Sequence, residues 1–468
     1  MNRVFVFCIG GTGLRVMKSI IMLLASGLKT NGYQIVPIVI DPHQDLKEKT
    51  ELDALIASYQ KIYNATVGEK TENKDNSLDG FWNTRLVTLQ ELDDQQNPTS
   101  STMADNRAFR EYIGMGALDD DDLNQYLIQA LYSEANLNNK LSVGFKGNPN
   151  VGTVVLGNMI QGADEFEGLK RQFDENDRIF IISSIFGGTG ASGYPLLEKS
   201  IRSCSGCPKL KAAMMGAVTV FPYFALDDPT TTGSSIDSAN FLTKTKAALA
   251  YYADNVLSDY LYYVGEQKLR KSYKNNEQEQ EDPAHFIELV AASALFDFLQ
   301  QKRQNTTQYM TRAIRDDKEV LDVASAGDGY KPIVKCLADM MLFKELLAFW
   351  EQEHHSPLKS SRWRLDERFF STEPYTDLKN FLNRFSIWYG QMADNERGFA
   401  PLNIHDNMID PVRGLSVEGD KRHYVLDMIN FSQRDKARNC DLRLRHLMDT
   451  AHQTIEKYTG TIIKGFES

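Results

Sequence analysis

A chain of 468 residues exceeds the size of one ordinary hydrophobic core, so we expect two or three structural units. Hydrophobic residues make up 42% of it, which argues against a globally disordered chain. The net charge of −11 argues against nucleic acid and anionic membranes as main partners, because both attract basic surfaces. A nucleotide stays allowed, since a local cluster of backbone N–H groups binds phosphate even on an acidic protein.

The N-terminus and the cysteines predict a cytoplasmic protein without a membrane span. The first residues pass directly into an apolar run and lack a basic region with a cleavable apolar stretch, so no secretory leader is expected. The apolar run at 20–24 is too short to cross a bilayer. Five cysteines are an odd number for a secreted disulfide framework, and a reducing compartment fits them best.

The first predicted elements form a parallel unit. Residues 4–9 are a continuous apolar run, which is typical of a strand that is covered on both faces. A glycine-rich segment follows at 10–13, and residues 14–26 then have the pattern of a buried helix. A second buried strand is predicted at 35–40 and ends at Asp41. This order of strand, turn, helix and strand predicts a right-handed parallel crossover.

The middle of the chain alternates apolar runs with helical patterns. A polar stretch at 64–107 predicts a surface excursion, and the acidic run at 119–122 favours the start of a helix over a metal site. Short apolar runs lie at 151–157, 179–184, 213–221 and 256–264, and helical patterns lie at 122–138, 195–202, 235–254 and 283–301.

The C-terminal third is predicted to be mainly helical. Amphipathic patterns cover 333–351, 377–392 and 433–457, and their aromatic residues are more typical of a core than of a partner surface. We therefore predict a three-layer α/β fold with a mostly parallel sheet. Residues 1–282 would form an α/β domain, 283–303 one long helix, and 304–468 a mainly helical domain.

Two glycine-rich segments carry the chemistry. The first is Gly10, Gly11, Thr12 and Gly13, between a buried strand and a helix, where backbone N–H groups and the helix dipole favour an anion. It lacks the third glycine of the dinucleotide-binding pattern G-x-G-x-x-G, and no Gly-Lys-Ser/Thr follows as in a Walker A segment.

The second segment is the more specific one. It follows the apolar run at 179–184, precedes a helix with Pro195 in an early turn, and reads Gly187, Gly188, Thr189, Gly190, Ala191, Ser192 and Gly193. Four glycines with Thr and Ser hydroxyls can wrap a diphosphate or triphosphate, and this density exceeds what a structural loop normally requires.

Residues 176–202 resemble the strand, signature turn and helix of the tubulin/FtsZ superfamily, whose turn reads GGGTG[S/T]G. The resemblance extends over 3–302 and is closest to divergent bacterial tubulin-like proteins. It implies GTP or GDP, with Mg²⁺, between the two glycine segments. It implies that residues 1–282 bind the nucleotide and that 283–303 are the family's long central helix. It also implies ligand contacts in neighbouring turns by Asp227 or Asp228 at the ribose, by Asn240 at guanine, and by His285 and Glu288 beneath the base. Asp41, at the end of the second strand, is placed for a ligand contact, and a turn-initiating Asp-Pro explains it equally well.

The sequence departs from the family pattern at two places. Phe186 replaces the first signature glycine, and the segment 190–193 carries one extra residue. After the central helix the family has an N-x-D-x-x-D-like segment that completes hydrolysis in the next subunit, whereas this chain has Asp316, Asp317 and Asp322 in a different spacing. Catalytic residues therefore stay unassigned, and GTPase activity is left open.

The resemblance allows two functions. One is a cytoskeletal GTP-binding protein that self-associates into filaments or oligomers with the nucleotide at the subunit interface. The other is a non-polymerising nucleotide sensor or adaptor that recruits a partner through its C-terminal helices. An NAD(P)-dependent enzyme is disfavoured by both glycine patterns.

Two further motifs were weighed as metal or redox sites. Cys204 and Cys207 form a CxxC, but Cys336 and Cys440 are isolated, so the pair fits loop cysteines better than a zinc site or a redox dithiol. His354 and His355 sit at a predicted helix end, where imidazolium suits the dipole. No metal ligand is assigned.

Overall fold

The structure is a computed structural model that describes most of the chain. It covers residues 2–42, 47–67, 80–92, 100–101, 107–119, 122–141, 145, 147–162, 164–227, 238–266, 272–273, 283–312, 329–352, 367–393 and 440–466.

The centre of the fold is a seven-stranded sheet in which every neighbouring pair is parallel. In chain order the strands are β1 (Arg3–Ile9), β2 (Gln34–Ile40), β3 (Ser100–Ser101), β4 (Arg178–Ser184), β5 (Met214–Val220), β6 (Ala225–Leu226), β7 (Tyr260–Val264), β8 (Ser272–Tyr273) and β9 (Gln308–Arg312). The order across the sheet is β3-β2-β1-β4-β5-β7-β9, while β6 and β8 form a separate parallel pair.

Helices cover both faces of the sheet. They are α1 (Gly10–Ala25), α2 (Lys47–Thr66), α3 (Leu89–Leu92), α4 (Phe109–Tyr112), α5 (Leu123–Leu131), α6 (Glu134–Leu137), α7 (Pro149–Gly162), α8 (Asp164–Gln172), α9 (Gly188–Arg202), α10 (Pro208–Lys211), α11 (Phe241–Asn255), α12 (Phe286–Phe298), α13 (Lys331–Gln352), α14 (Glu367–Phe370), α15 (Glu373–Ala393) and α16 (Cys440–Phe466). Short 3₁₀ helices lie at Met115–Ala117 and Ser238–Asn240.

The side chains of β1 show why the sheet is buried on both sides. Val4, Val6 and Cys8 belong to the core beneath α1 and α12, and the alternate residues of the strand belong to the core beneath α7 and α9. Because successive side chains of a strand point to opposite faces, a continuous apolar run fills both cores at once. This confirms the predicted α/β class with a parallel sheet.

The C-terminal helices share a core with the N-terminal half. The rings of Phe343 in α13 and Phe81 lie 4.7 Å apart, and the ring of Phe381 in α15 lies 5.0 Å from that of Trp82. The prediction that the C-terminal aromatic residues are mainly core is confirmed for Trp350, Phe369, Phe381, Phe385 and Trp388, while Phe370 is only partly buried against the same core. Trp363 lies outside the described residues.

Several predicted bounds differ from the structure. The apolar run at 151–157 lies within α7, because a short apolar run fits a buried helix as well as a buried strand. The helix predicted at 122–138 is two helices, α5 and α6. The predicted central helix corresponds to α12, which has 13 residues, and β9 then returns to the sheet beyond residue 303. The segment 316–322 lies outside the described residues.

No helix in the described ranges is both long and apolar enough to cross a membrane.

Candidate functional site

The two glycine-rich segments meet at one point of the sheet edge. They follow β1 and β4, which are neighbours with Cys8 opposite Ile182. The sheet extends from β1 through β2 to β3 on one side. On the other side it extends from β4 through β5 and β7 to β9. In an open parallel sheet, a crevice forms where the strand order reverses in this way, beyond the carboxyl ends of the strands.

The first segment begins α1 directly. Gly10 adopts a left-handed φ of +71°, which favours glycine, and Ile9 at the N-cap provides no side-chain acceptor for the first turn. The first turn of α1 contains no acidic residue. Its N–H groups and the positive end of the helix dipole therefore suit an anion from outside the helix.

The second segment begins α9 in the same manner. Gly187 is the N-cap residue, no side chain caps the helix, and its first turn contains no acidic residue. The two helix starts lie against each other, since a Cβ built on Gly10 would lie 3.3 Å from the Cβ of Thr189. Two helix N-termini without side-chain caps thus converge at the switch point of the sheet, which is the place where the strand order reverses.

Both glycine segments are mostly helix, not loop, and several of their glycines have a packing role. A Cβ on Gly13 would lie 2.7 Å from the carbonyl carbon of Cys8, and one on Gly190 would lie 2.6 Å from the backbone nitrogen of Ser184. A Cβ on Gly193 would lie 2.7 Å from a methyl group of Ile9. These glycines let α1 and α9 approach β1 and β4 closely. The glycine density is therefore weaker evidence for phosphate binding than the sequence suggested.

The later residues of the second segment point inward. The Ser192 hydroxyl donates to the carbonyl oxygen of Gly188 at 2.7 Å, within α9 itself. The carbonyl oxygen of Ala191 accepts a hydrogen bond from the Tyr252 hydroxyl at 3.0 Å. By contrast, Gly187 and Thr189 are only partly buried, so the ligand-facing side of this segment is its beginning.

A third segment covers the start of α9 and was not identified from the sequence. A Cβ on Gly188 would lie 2.8 Å from the Cβ of Phe145 and 3.0 Å from the backbone nitrogen of Asn148. Gly147, between them, has a φ of +72°. The local sequence around Gly147 gave little signal, and only the fold brings this residue to the glycine segments.

A buried charged network lies one turn further along α1. The guanidinium Nε of Arg15 is 2.8 Å from Oε1 of Glu288, and Arg15 also donates to the Tyr223 hydroxyl at 2.7 Å. Tyr223 in turn donates to Oε1 of Glu288 at 2.8 Å, and Oε1 of Glu48 lies 3.5 Å from Arg15. Glu288 is 1% exposed. The carboxylate of Glu288, which was predicted to lie beneath the guanine base, is thus already surrounded by groups of the protein.

His285 has a structural role at the start of α12. Its Nδ1 accepts the backbone N–H of Ile287 at 3.1 Å, and its own backbone N–H donates to Oε2 of Glu288 at 3.1 Å. This reciprocal pair is a capping box, which fixes the first turn of the helix. His285 packs edge-on against Tyr223 with ring centroids 5.0 Å apart.

The remaining predicted contacts are spread along the same edge. Asp41 is buried directly after β2, whose last residue pairs with Ile9, so it lies beside Gly10. Asp227, directly after β6, and Asn240, before α11, are exposed. Asp228 lies outside the described residues.

Phe186 explains the departure from the glycine signature. Its side chain is 4% exposed and packs among rings of the neighbouring turns, with centroid distances of 4.8 Å to Phe241 and 5.7 Å to Phe224. The ring therefore ties the start of α9 to the segments that carry Asp227 and Asn240. A glycine there would leave a cavity in this cluster.

Arg15 could have been identified from the sequence. The residues around it in α1 are almost all apolar, and a charged side chain inside such a pattern, beside a glycine turn, indicates a buried ion pair. Its partners could not be identified, because Glu48, Tyr223 and Glu288 come from three distant parts of the chain.

A second buried carboxylate lies on α9. Oε1 of Glu198 accepts hydrogen bonds from the Leu257 backbone N–H at 3.0 Å and the Ser258 hydroxyl at 3.2 Å. Oε2 has no hydrogen-bond partner among the residues that the structure describes. Burial raises the pKa of Glu198 from 4.5 to about 7, against the opposing effect of Arg202. The folded protein therefore binds this proton more tightly than the unfolded chain, and the associated stability is lost as the pH rises from 4.5 to about 7.

We expect Glu198→Gln to raise the free energy of unfolding at pH 8 by about 1–2 kcal/mol, because an amide avoids the buried charge but leaves its own N–H groups poorly bonded. At pH 5 the change should be small, since the wild-type carboxyl is then mostly neutral in the folded state. Urea unfolding at both pH values measures this, with the exposed Glu175→Gln as control. An equal effect at both pH values would contradict the assignment.

The described residues contain no cluster of three or more side chains that could hold a metal ion. Cys204 and Cys207 are partly buried beside α10, and His354 and His355 lie outside the described residues. No model of a known protein family and no curated protein sequence matches this chain.

Proposed function

We propose that the chain binds a nucleoside triphosphate or diphosphate, GTP or GDP, with the phosphates between the start of α1 and the start of α9. The observation that carries this proposal is the convergence of two uncapped helix N-termini at the switch point of a parallel sheet. One such terminus binds a single anionic group, and two facing termini offer a larger group of N–H donors.

Electrostatics at the two helix starts support a polyphosphate. Neither first turn has an acidic residue, so the dipoles of both helices favour negative charge between them. The partly exposed residues at the two starts, Gly11, Gly187 and Thr189, mark the side from which the ligand approaches.

Mg²⁺ fits this arrangement as a companion of the phosphates. In nucleotide sites it is held mainly by phosphate oxygens and water, with one or two carboxylates from the protein. Oε2 of Glu48 lies 3.2 Å from the position of a Cβ on Gly11, so Glu48 and the neighbouring Asp41 are carboxylates that the described residues bring to the first helix start. When bound, the ion would offset phosphate charge.

The choice of GTP depends on the resemblance to the tubulin/FtsZ superfamily. The strand order is also found in dinucleotide-binding folds, so the sheet alone does not discriminate between the two ligands. Both glycine segments lack the spacing of a dinucleotide site, which favours the guanine nucleotide.

The most informative experiment identifies the nucleotide that the purified protein releases on heat denaturation. We expect the protein to release nearly one molecule of GDP or GTP per chain. We also expect inorganic tripolyphosphate to compete with labelled GTP for binding to the protein. Release of NAD would overturn the guanine assignment, and binding of neither GTP nor tripolyphosphate would overturn the phosphate site.

Self-assembly into filaments or oligomers is the first candidate for the use of the nucleotide. α5 supports association, because Leu123, Tyr126, Leu127 and Leu131 are all more than half exposed on one apolar stripe. GTP-dependent light scattering would support assembly. The alternative is a nucleotide sensor that recruits a partner through its C-terminal helices, and it predicts bound GTP without scattering at any protein concentration.

A further inference from the structure

A cavity of about 540 Å³ opens beside the proposed phosphate site. α1, α2, the first residues before α12, and α15 from the C-terminal region line it. Its volume is within the range of pockets that enclose small molecules.

Glu48 links the cavity to the first helix start. Glu48 lines the cavity, and its Oε2 lies 3.2 Å from the position of a Cβ on Gly11. Arg15 also lines the cavity and follows Gly11 by four residues, so both face the same side of α1. A molecule whose charged end lies at Gly11 therefore has its remaining part directed toward this space.

α15 is held against this cavity by polar contacts to both neighbouring elements. The indole Nε1 of Trp388 donates to the Ser19 hydroxyl of α1 at 3.3 Å. Oε1 of Gln391 accepts the backbone N–H of Ala284, just before α12, at 3.0 Å. Both side chains line the cavity. The C-terminal region thus closes the space with positioned groups.

We propose that α15 forms the far wall of the nucleotide pocket, so that the nucleoside lies in this cavity against Trp388 and Arg384 while the phosphates lie at the helix starts. This inference rests on the proposed function and adds the C-terminal region to the binding site.

The chemistry of the wall suits a purine nucleoside. The Trp388 indole is 6% exposed and lines the cavity with apolar atoms against which a planar base can pack, and aromatic contacts of this kind do not require a particular base. Arg384 is exposed and lines the cavity, so its guanidinium can reach a ligand there.

This placement has a consequence for signalling by the nucleotide. A base against Trp388 contacts α1 and α15 together, so the presence of the nucleotide stabilises the packing of the C-terminal helices. Loss of the nucleotide then loosens α15, which is the behaviour that a sensor with a helical partner-binding region requires.

The test compares GTP with inorganic tripolyphosphate in the full chain. We expect Trp388→Leu and Arg384→Ala to weaken GTP binding about tenfold each, because each removes one contact to the nucleoside. Tripolyphosphate affinity should stay at the wild-type value, since it reports only the helix starts. Trp350→Leu is the control, because Trp350 is buried in α13 and does not line the cavity. Azidoguanosine triphosphate should label α15 on photolysis.

The outcomes separate the two proposals. This inference would be overturned if both variants bound GTP with wild-type affinity, still bound tripolyphosphate, and α15 carried no label. The proposed phosphate site would then be unaffected. Absence of both GTP and tripolyphosphate binding in the wild-type protein would overturn the proposed function and this inference with it. Equal loss of GTP and tripolyphosphate binding in Arg384→Ala would also overturn the inference.

Discussion

Replacement of Gly190 by alanine should abolish tight nucleotide binding and destabilise the fold. A Cβ at this position would lie 2.6 Å from both the nitrogen and the carbonyl oxygen of Ser184, and backbone atoms cannot rotate away. Overpacking of this kind costs about 1–3 kcal/mol. The start of α9 must shift away from β4, and loss of two hydrogen bonds to phosphate weakens affinity by a factor on the order of 100 or more.

Gly157→Ala is the matched control for this change. Gly157 lies inside α7, which packs against α9, and a Cβ there would meet no heavy atom within 4 Å. Alanine is favoured over glycine in a helix by about 1 kcal/mol, so this variant should be slightly more stable and bind nucleotide normally. Urea unfolding and titration with labelled GTP measure both effects. Wild-type affinity in Gly190→Ala would show that the start of α9 does not contact the ligand.

The buried strands of this fold were predictable because burial on both faces demands continuous apolar runs. β1, β2, β4 and β5 lie within one or two residues of the predicted runs. Residues 151–157 were ambiguous for the same reason. α7 packs against α9 and buries Val151, Val155 and Leu156, so this part of its sequence is as apolar as that of a strand.

The position of the candidate site was predictable, but its construction was not. A glycine segment after each of two parallel strands predicts two turns at one edge, and the strand order makes them neighbours. The sequence does not distinguish a glycine required for phosphate from one required for packing. Gly13 and Gly190 lie against backbone atoms, and this long-range proximity leaves no local pattern.

The contribution of the C-terminal helices was the least predictable part. Aromatic residues at helical spacing predict burial, and Trp388 is indeed 6% exposed. Nothing in that spacing indicates that the side chain also lines a cavity shared with α1 and α2. Such a role depends on which surface the helix covers, and that is decided by packing over the whole chain.

The ion pair between Arg15 and Glu288 should be strongly coupled. The two side chains are 9% and 1% exposed, and Nε of Arg15 lies 2.8 Å from Oε1 of Glu288. Arg15→Met or Glu288→Leu alone should lower the free energy of unfolding by about 3–5 kcal/mol, because each leaves a buried charge without its main partner. The double variant should cost much less than the sum, since both charges are then removed.

The exposed pair of Arg110 and Glu134 provides the matched comparison for this cycle. Its atoms are 2.6 Å apart, which is as close as the buried pair, but the side chains are 38% and 73% exposed. The same substitutions there, Arg110→Met and Glu134→Leu, should show a coupling of about 0–1 kcal/mol, because water screens the charges. Denaturant unfolding of both four-member cycles measures the two couplings. Similar small values would mean that Arg15 is solvated in the protein. A large value only for Arg15 and Glu288 would establish that α1 and α12 are joined by a charge pair beside the proposed phosphate site.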